Sequence, residues 1–273
     1  AEIPNAFDAD SLLAELNAQQ ISYRLDRIDQ YSELWIEHPE QVPEVFKILE
    51  QINRQHQRAY QQTLPGFTEQ LKKMPVVASL ILLSVVGALL VDWAFPLVHW
   101  FTFQDFSIVG ETIRFDTAPN AMANGEYWRL LTPIFLHFGL FHVAFNSLWM
   151  WEFGRRIEPL AGSVHTCASI LLMAIASNIG QYLWGGPSLF GGMSGVVYGL
   201  LGYIWIRHRV APRPILAIPR GLLGFMLFWL FLGMSGVIDF FMAGSIANAA
   251  HAVGLITGMI LGGWAGHVES VRR

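Results

Sequence analysis

Charge is scarce in this sequence: only 14% of its 273 residues are Asp, Glu, Lys or Arg, while 53% are apolar. A soluble domain carries about 25% charged residues, so an ordinary soluble enzyme is excluded and a membrane protein is indicated. Cysteine is almost absent. The single Cys167 lies in an apolar run and has no internal partner, so the fold does not depend on an oxidising compartment. Also lacking is a basic stretch followed by a short apolar run and a small-residue cleavage site, so no signal peptide is expected and the first membrane helix inserts itself. The chain opens on Ala1 without an initiator Met, which points to processing or trimming, by which a first strand could be lost.

What charge there is divides unevenly. Residues 1–70 hold 12 of the 21 acids and 5 of the 17 bases, a net of −7, whereas residues 71–273 carry +3. Two regions with different solvents are implied. The front segment reads as helix-strand-strand-helix. Asp8 or Asp10 caps a helix with apolar residues Leu12, Leu13 and Leu16; Ile21, Tyr23 and Leu25 alternate as a half-buried strand, and a second strand covers Leu34 to Ile36. After His38-Pro39, Val45, Ile48, Leu49 and Ile52 form one helical stripe. This α+β domain, residues 1–63, holds no motif with evident chemistry and is expected to dock, regulate or stabilise. Residues 64–74 follow as a linker with a Pro65-Gly66 joint.

Six apolar stretches come next: 74–91, about 138–153, 166–184, 193–206, 222–238 and about 245–266. A spanning helix needs about 20 residues. Lys72, Lys73, Arg155, Arg156, Arg207, Arg209, Arg213, Arg220, Arg272 and Arg273 mark one side, and only Arg114 and Arg129 lie in the opposite loops. The positive-inside rule then puts both termini in the cytoplasm, a parity that six spans satisfy. The loop 92–137 is rich in aromatics, among them Trp93, Trp100, Phe103 and Phe106, and is expected to lie partly in the outer interface. The fold class is an α-helical polytopic membrane protein, a six-helix core over 75–268 with a cytoplasmic tail at 269–273.

The fourth stretch carries the chemistry. From Ser194 to Ile206 it offers about 20 Å of helix against a hydrocarbon core of about 30 Å, so Ser194 is submerged if the basic end sits at the cytoplasmic face. The glycine-rich loop from Trp184 to Met193 precedes it, and irregular backbone at that depth is tolerated only inside protein or beside a water-filled cavity. A serine at a helix N-terminus sits beside free backbone N–H groups that stabilise developing negative charge. Taken alone, Gly192-Met-Ser-Gly195 is weak, and a small-residue helix start that packs tightly explains it better. The sixth stretch strengthens it. His251 stands in an uncharged span, with Gly254, Gly258 and Gly262 on its broad face, and the fourth stretch has a matching small face at Gly195, Gly199 and Gly202. Close approach there makes Ser194 and His251 neighbours, a nucleophile with its general base.

His142 and Asn146 lie one turn apart near the outer end of the second stretch, with His137 before them. Their functional reading is hydrogen-bond donors for the oxyanion of acyl transfer, with the backbone N–H of Ser194. The rival is a metal held by His137, His142 and His251; no carboxylate or thiolate accompanies them at ligand spacing and the His-Glu-x-x-His pattern is absent. Asp92, Asp105, Glu111, Asp116, Glu126, Glu152, Glu158, Asp239 and Glu269 all fall in loops or near span ends, so a dyad is expected, with Tyr198 packed on His251 or serving simply as a core aromatic.

Together Gly192-Met-Ser194-Gly195, His251 with Gly254-x-x-x-Gly258, His142-x-x-x-Asn146 and Trp128-Arg129 resemble the motif set of the rhomboid proteases over about residues 75–268, and the front domain looks like that of the bacterial GlpG rhomboids. The resemblance implies a six-helix rhomboid bundle, Ser194 as nucleophile, His251 as base, His142 and Asn146 as oxyanion donors, and no cofactor or metal. It also implies that Glu158-x-x-x-Gly162 and Trp128-Arg129 are structural, the latter anchoring the first loop. Met193 stands where the family varies. The expected function is an intramembrane serine endopeptidase of the bacterial inner membrane that cuts transmembrane segments of other proteins near the outer surface. Expected partners are those substrates and the lipid bilayer, with a homo-oligomer left open and no nucleic acid. The alternatives are a non-catalytic rhomboid-like binder of membrane proteins, and a transporter with a broken fourth helix, which the lack of acids in the spans disfavours.

Overall fold

The structure, a computed structural model, describes residues 2–4, 9–28, 31–63, 66–237 and 246–271. Two compact units divide the chain, Ala1–Gly66 and Phe67–Arg273. In the first, β1 (Glu2–Pro4), α1 (Ala9–Ala18), β2 (Tyr23–Ile28), β3 (Tyr31–Ile36) and α2 (Val42–Thr63) follow in order. The sheet runs β1-β3-β2, antiparallel throughout, with Leu25 opposite Leu34. Leu12, Leu16, Ile21, Leu34, Val45, Ile48 and Ile52 close the core between sheet and helices. The helix-strand-strand-helix expectation therefore needs one more strand at its front: β1 pairs with β3, and three residues are too few to show periodicity. Asp8 lies outside the described residues, and Asp10 falls inside α1 instead of capping it.

The second unit opens with α3 (Phe67–Lys73), which occupies most of the stretch read as a linker; Pro65 lies outside the described residues. Then come α4 (Pro75–Trp93), a hairpin of β4 (Phe106–Val109) and β5 (Thr112–Phe115), α5 (Ala118–Ala123), α6 (Leu140–Ala161), α7 (Ser163–Gly185), α8 (Ser194–Val210), α9 (Arg220–Met234) and α10 (Asn248–Val271). Four segments among the described residues are long and apolar enough to cross a membrane: Pro75–Trp93, Ser163–Gly185, Pro214–Met234 and Asn248–Val271. By the same measure α8 is too short, and α6 carries Glu152, Arg155, Arg156 and Glu158.

Several helices outrun the apolar stretches that announced them. Arg155 and Arg156, assigned to a connecting segment, lie inside α6, where both pair with Glu152 one turn back. Arg207 and Arg209 likewise belong to α8, and α10 absorbs Glu269 up to Val271. The carboxylates Glu152, Glu158 and Glu269 are thus helical residues near span ends, the second of the two placements the sequence allowed them. Asp239, Arg272 and Arg273 lie outside the described residues, as does Ile238 at the end of the fifth stretch. Hydropathy runs stop at the first charge, whereas a helix continues as long as its charges find partners.

Glu158 shows how much a buried acid organises. It is 1% exposed, accepts hydrogen bonds from the backbone N–H groups of Val76 and Val77 at 2.9 and 3.0 Å, and takes a third from Ser163 Oγ at 2.7 Å. Those two N–H groups are orphans of the first turn of α4, so one carboxylate caps α4 and ties it to α6 and α7. Gly162, at φ +83, lets the chain turn between α6 and α7.

The loop 94–139 is pinned by Trp128 and Arg129. Trp128 Nε1 donates to Trp100 O at 3.0 Å. Arg129 is fully buried, paired with Glu126 at 2.5 Å, and donates to the carbonyls of His99 and Thr102.

At the centre stands α8, buried from Gly195 to Ile204 among α6, α7 and α10, as befits a helix apolar on all sides. Its 17 residues make about 25 Å of helix. Along α10, a Cβ on Gly254 would overlap the carbonyl of Gly195, one on Gly258 that of Gly199, and one on Gly262 that of Tyr203. The two backbones are in contact. A Gly258→Val substitution must therefore push α10 off α8, at about 1–3 kcal/mol or more for overpacking. Thermal unfolding in detergent should fall by about 5 °C or more, with turnover falling too. An unchanged midpoint and rate would remove this contact from the account.

Candidate active site

Ser194 is the first residue of α8, and the loop in front of it is held from behind. The N–H of Gly192 donates to Pro133 O at 3.0 Å, and that of Met193 to His137 Nε2 at 3.4 Å. His137 is fully buried and its Nδ1 lies 3.0 Å from Phe135 O, so both ring nitrogens serve the backbone. Such a ring is a bracket for the loop; it has no nitrogen left for a metal. Gly192 sits at φ +110, and a Cβ there would stand 2.5 Å from His142 Nε2, so only glycine lets this histidine approach.

His251 lies in the first turn of α10, 7% exposed, with Nε2 2.7 Å from Ser194 Oγ. The pair joins two helices through residues that are 57 apart in sequence. Tyr198, one turn after Ser194, lays its ring 4.9 Å from the imidazole at 33°, and its hydroxyl donates to Met226 O at 3.0 Å. Packing on one side and the helix on the other fix the imidazole plane. Gly195 is required by the same crowding, because a Cβ would come within 2.8 Å of Ser177 and 3.2 Å of Ala250 O.

His142 and Asn146 stand at the same end of the bundle, on α6. The N–H of Phe138 donates to His142 Nδ1 at 3.4 Å, which leaves the proton on Nε2, the nitrogen that faces Gly192. Asn146 is 6% exposed and uses one amide N–H on His142 O at 2.9 Å, one turn back in its own helix. The His142 ring also packs 4.9 Å from that of His137. The structure thus brings Ser194, His251, Tyr198, His142, Gly192 and Gly195 together, with Asn146 alongside, its amide engaged with its own helix.

Three supporting residues carried no signal in the motifs. Gln181 Oε1 accepts from the N–H of Ala250 at 3.2 Å, which holds the first turn of α10 beside α7. Asn248 Nδ2 donates to Gly233 O at 2.7 Å and joins α10 to α9, and Asn178 Nδ2 donates to Leu130 O at 2.9 Å. For two of them a signal was available: Asn178 and Gln181 are polar residues three apart in the outer half of α7, where their neighbours other than Ser177 are apolar, which places them toward protein and away from lipid.

Comparison with known proteins bears on the whole arrangement. The rhomboid domain family matches residues 124–267, a stretch that includes Trp128, Arg129, His142, Asn146, Ser194 and His251. The rhomboid protease GlpG of Photorhabdus laumondii subsp. laumondii is 32% identical over 254 residues, covering 86% of this chain and 83% of the relative. The rhomboid proteases GlpG of Yersinia pestis (strain Pestoides F) and Yersinia pseudotuberculosis serotype O:3 are 40% identical over 139 residues, covering 51% of this chain and 48% of each relative, so those matches span about half of the relatives' length. Likeness across most of the length, added to the apolar helices, makes this a multi-pass membrane protein, and the chain belongs to the rhomboid protease family, in its bacterial GlpG type.

Proposed function

We propose that this protein is an intramembrane serine endopeptidase that cuts transmembrane segments of other membrane proteins near the outer membrane surface through a Ser194–His251 dyad. One observation carries the reading: Ser194 Oγ and His251 Nε2 stand 2.7 Å apart where two apolar helices touch backbone to backbone. A hydroxyl in such a place has little other use for a buried imidazole. In the reaction, His251 Nε2 takes the Ser194 proton as Oγ attacks the scissile carbonyl carbon, then hands it to the leaving amine. Water, deprotonated by the same nitrogen, then cleaves the ester on Ser194. The oxyanion is met by the Ser194 N–H at the start of α8, by His142 Nε2–H, and by Asn146 once its amide turns from His142 O. No cofactor enters these steps.

In this reading α4, α6, α7, α8, α9 and α10 are six spans with both termini in the cytoplasm of a bacterium. The short α8 and the charged α6 are sheltered by their neighbours, and the Arg-rich helix ends lie on the cytoplasmic side. Ser194, at the other end of α8, then sits toward the outer surface. A transmembrane helix presents no free carbonyl until it unwinds, so substrates are segments that break easily there.

The test is incubation of the purified chain in detergent with a labelled single-span protein, with and without a serine-reactive fluorophosphonate. Cleavage that the reagent blocks is the expected result, and cleavage indifferent to it would remove the serine mechanism. We assign residues 1–63 a supporting role, since every residue given chemistry lies beyond Phe138. A chain lacking them should fold and cut the same substrate; a folded core with no activity would overturn that division.

A further inference from the structure

We propose that a cavity at the far end of α8 from Ser194 binds the phosphodiester headgroup of an anionic phospholipid. The cavity is open and about 600 Å³ in volume, within the range of small-ligand sites. It forms where the last turns of α6, α8 and α10 meet the first turn of α7. Arg207 and Arg213 supply the positive charge, and Glu269 is the one carboxylate in its lining. Glu269 is shared: Arg207 Nη2 donates to it at 3.2 Å and Arg213 Nε at 2.6 Å, so two guanidiniums divide a single negative charge.

Arg207 is the informative member. It is 7% exposed and donates through Nη1 to Tyr203 Oη at 2.9 Å, yet its Nε is buried with no hydrogen-bond partner. A buried guanidinium that shares its carboxylate with a second arginine is only partly neutralised, and an anion in the cavity beside the two completes the neutralisation. Tyr203 Oη, which accepts from Arg207, also lies 2.8 Å from His165 Nε2, and two guanidiniums against one carboxylate in the lining leave positive charge in excess there. A phosphodiester carries one negative charge, and its oxygens suit planar guanidinium donors.

The remaining lining identifies the source of that phosphate. Trp264 is 62% exposed on the cavity rim, and Leu160, Ala265 and Val268 line the apolar side. An indole beside arginines at the end of an apolar helix is the pattern of headgroup depth, with acyl chains continuing along the apolar wall. A soluble phosphate ion would use the arginines and leave that wall unused.

The test is native mass spectrometry of the full chain released from detergent, titrated with phosphatidylglycerol or with phosphatidylcholine of the same acyl chains. Phosphatidylglycerol should be retained in preference. Arg213→Gln should weaken it about fivefold, the usual worth of one surface arginine toward an anionic lipid, and leave phosphatidylcholine unchanged. Glu269→Gln should tighten it, because the competing carboxylate is gone; a merely structural ion pair predicts no such gain. Equal retention of the two lipids, or unchanged phosphatidylglycerol binding in Arg213→Gln, would overturn the proposal, as would weaker binding in folded Glu269→Gln. If Glu269→Gln does not fold, Arg213→Gln decides alone. Displacement of the lipid by an equal concentration of inorganic phosphate would assign the site to a soluble anion instead and overturn the lipid reading. Peptide cleavage in lipid-free detergent should be the same in Arg213→Gln as in the parent, which separates this result from the protease reading.

Discussion

Ser194→Ala and His251→Ala should each abolish cleavage, and the double substitution should be scarcely worse than either one. A serine hydroxyl is a weak nucleophile unless its proton has an acceptor, and the acceptor 2.7 Å away is the His251 imidazole. Residues that act as one unit lose their effect together: removing either partner of such a pair costs roughly 10⁶-fold, and removing both adds little. Both variants should still fold. Neither side chain carries the α8–α10 contact, which is made by backbone at Gly195, Gly199 and Gly202 of α8 against Gly254, Gly258 and Gly262 of α10 and their neighbours. Cleavage of the labelled single-span protein, followed beside a thermal melt, checks both points. Normal turnover by Ser194→Ala would end the protease reading.

His142→Ala and Asn146→Ala should slow the reaction by about 100- to 1000-fold without stopping it, the usual cost of losing one donor to an oxyanion. The two should not be equal. His142 already points Nε2 at Gly192 and packs on His137, so its loss removes a donor that is in place and loosens the loop before Ser194. Asn146 must first give up its bond to His142 O, so part of what it contributes is spent on turning. His142→Ala should therefore be the slower enzyme. A fluorophosphonate should still label Ser194 in both, at a reduced rate, because the nucleophile and its base remain. Parent-rate turnover by both variants, in folded protein, would reduce these residues to polar groups of helix packing.

How much of this was legible in the sequence depended on whether a residue's job shows in local spacing. The glycines of α8 and α10 were legible because they repeat at three to four residues around Ser194 and His251, and the structure has those faces touching. The pairing of Glu158 with the amides of Val76 and Val77 was not, since a cap supplied from 82 residues away has no local pattern. Helix ends were misplaced for a related reason: Arg155, Arg156 and Arg207 look like loop residues until Glu152 and Glu269 are seen beside them. The β4–β5 hairpin was a different kind of miss. Phe106–Val109 and Thr112–Phe115 flank a two-residue turn with Gly110 at φ +63, a short-range hairpin signal that the surrounding aromatics obscured. Asn146 was legible as a polar residue in hydrocarbon, but its resting bond to its own helix was not, because spacing specifies a face and not a rotamer.

The glycine contact between α8 and α10 has a mechanical consequence. Most helix pairs are separated by side chains that hop between rotamers, and the gap between their backbones breathes as they do. At this seam a carbonyl rests against a Cα, glycine has no side-chain entropy to freeze, and there is little void to squeeze out. The joint holding Ser194 to His251 is therefore stiff and nearly incompressible. Warming or pressing on the surrounding bilayer will alter how a substrate reaches this pair long before it alters the distance between the two residues.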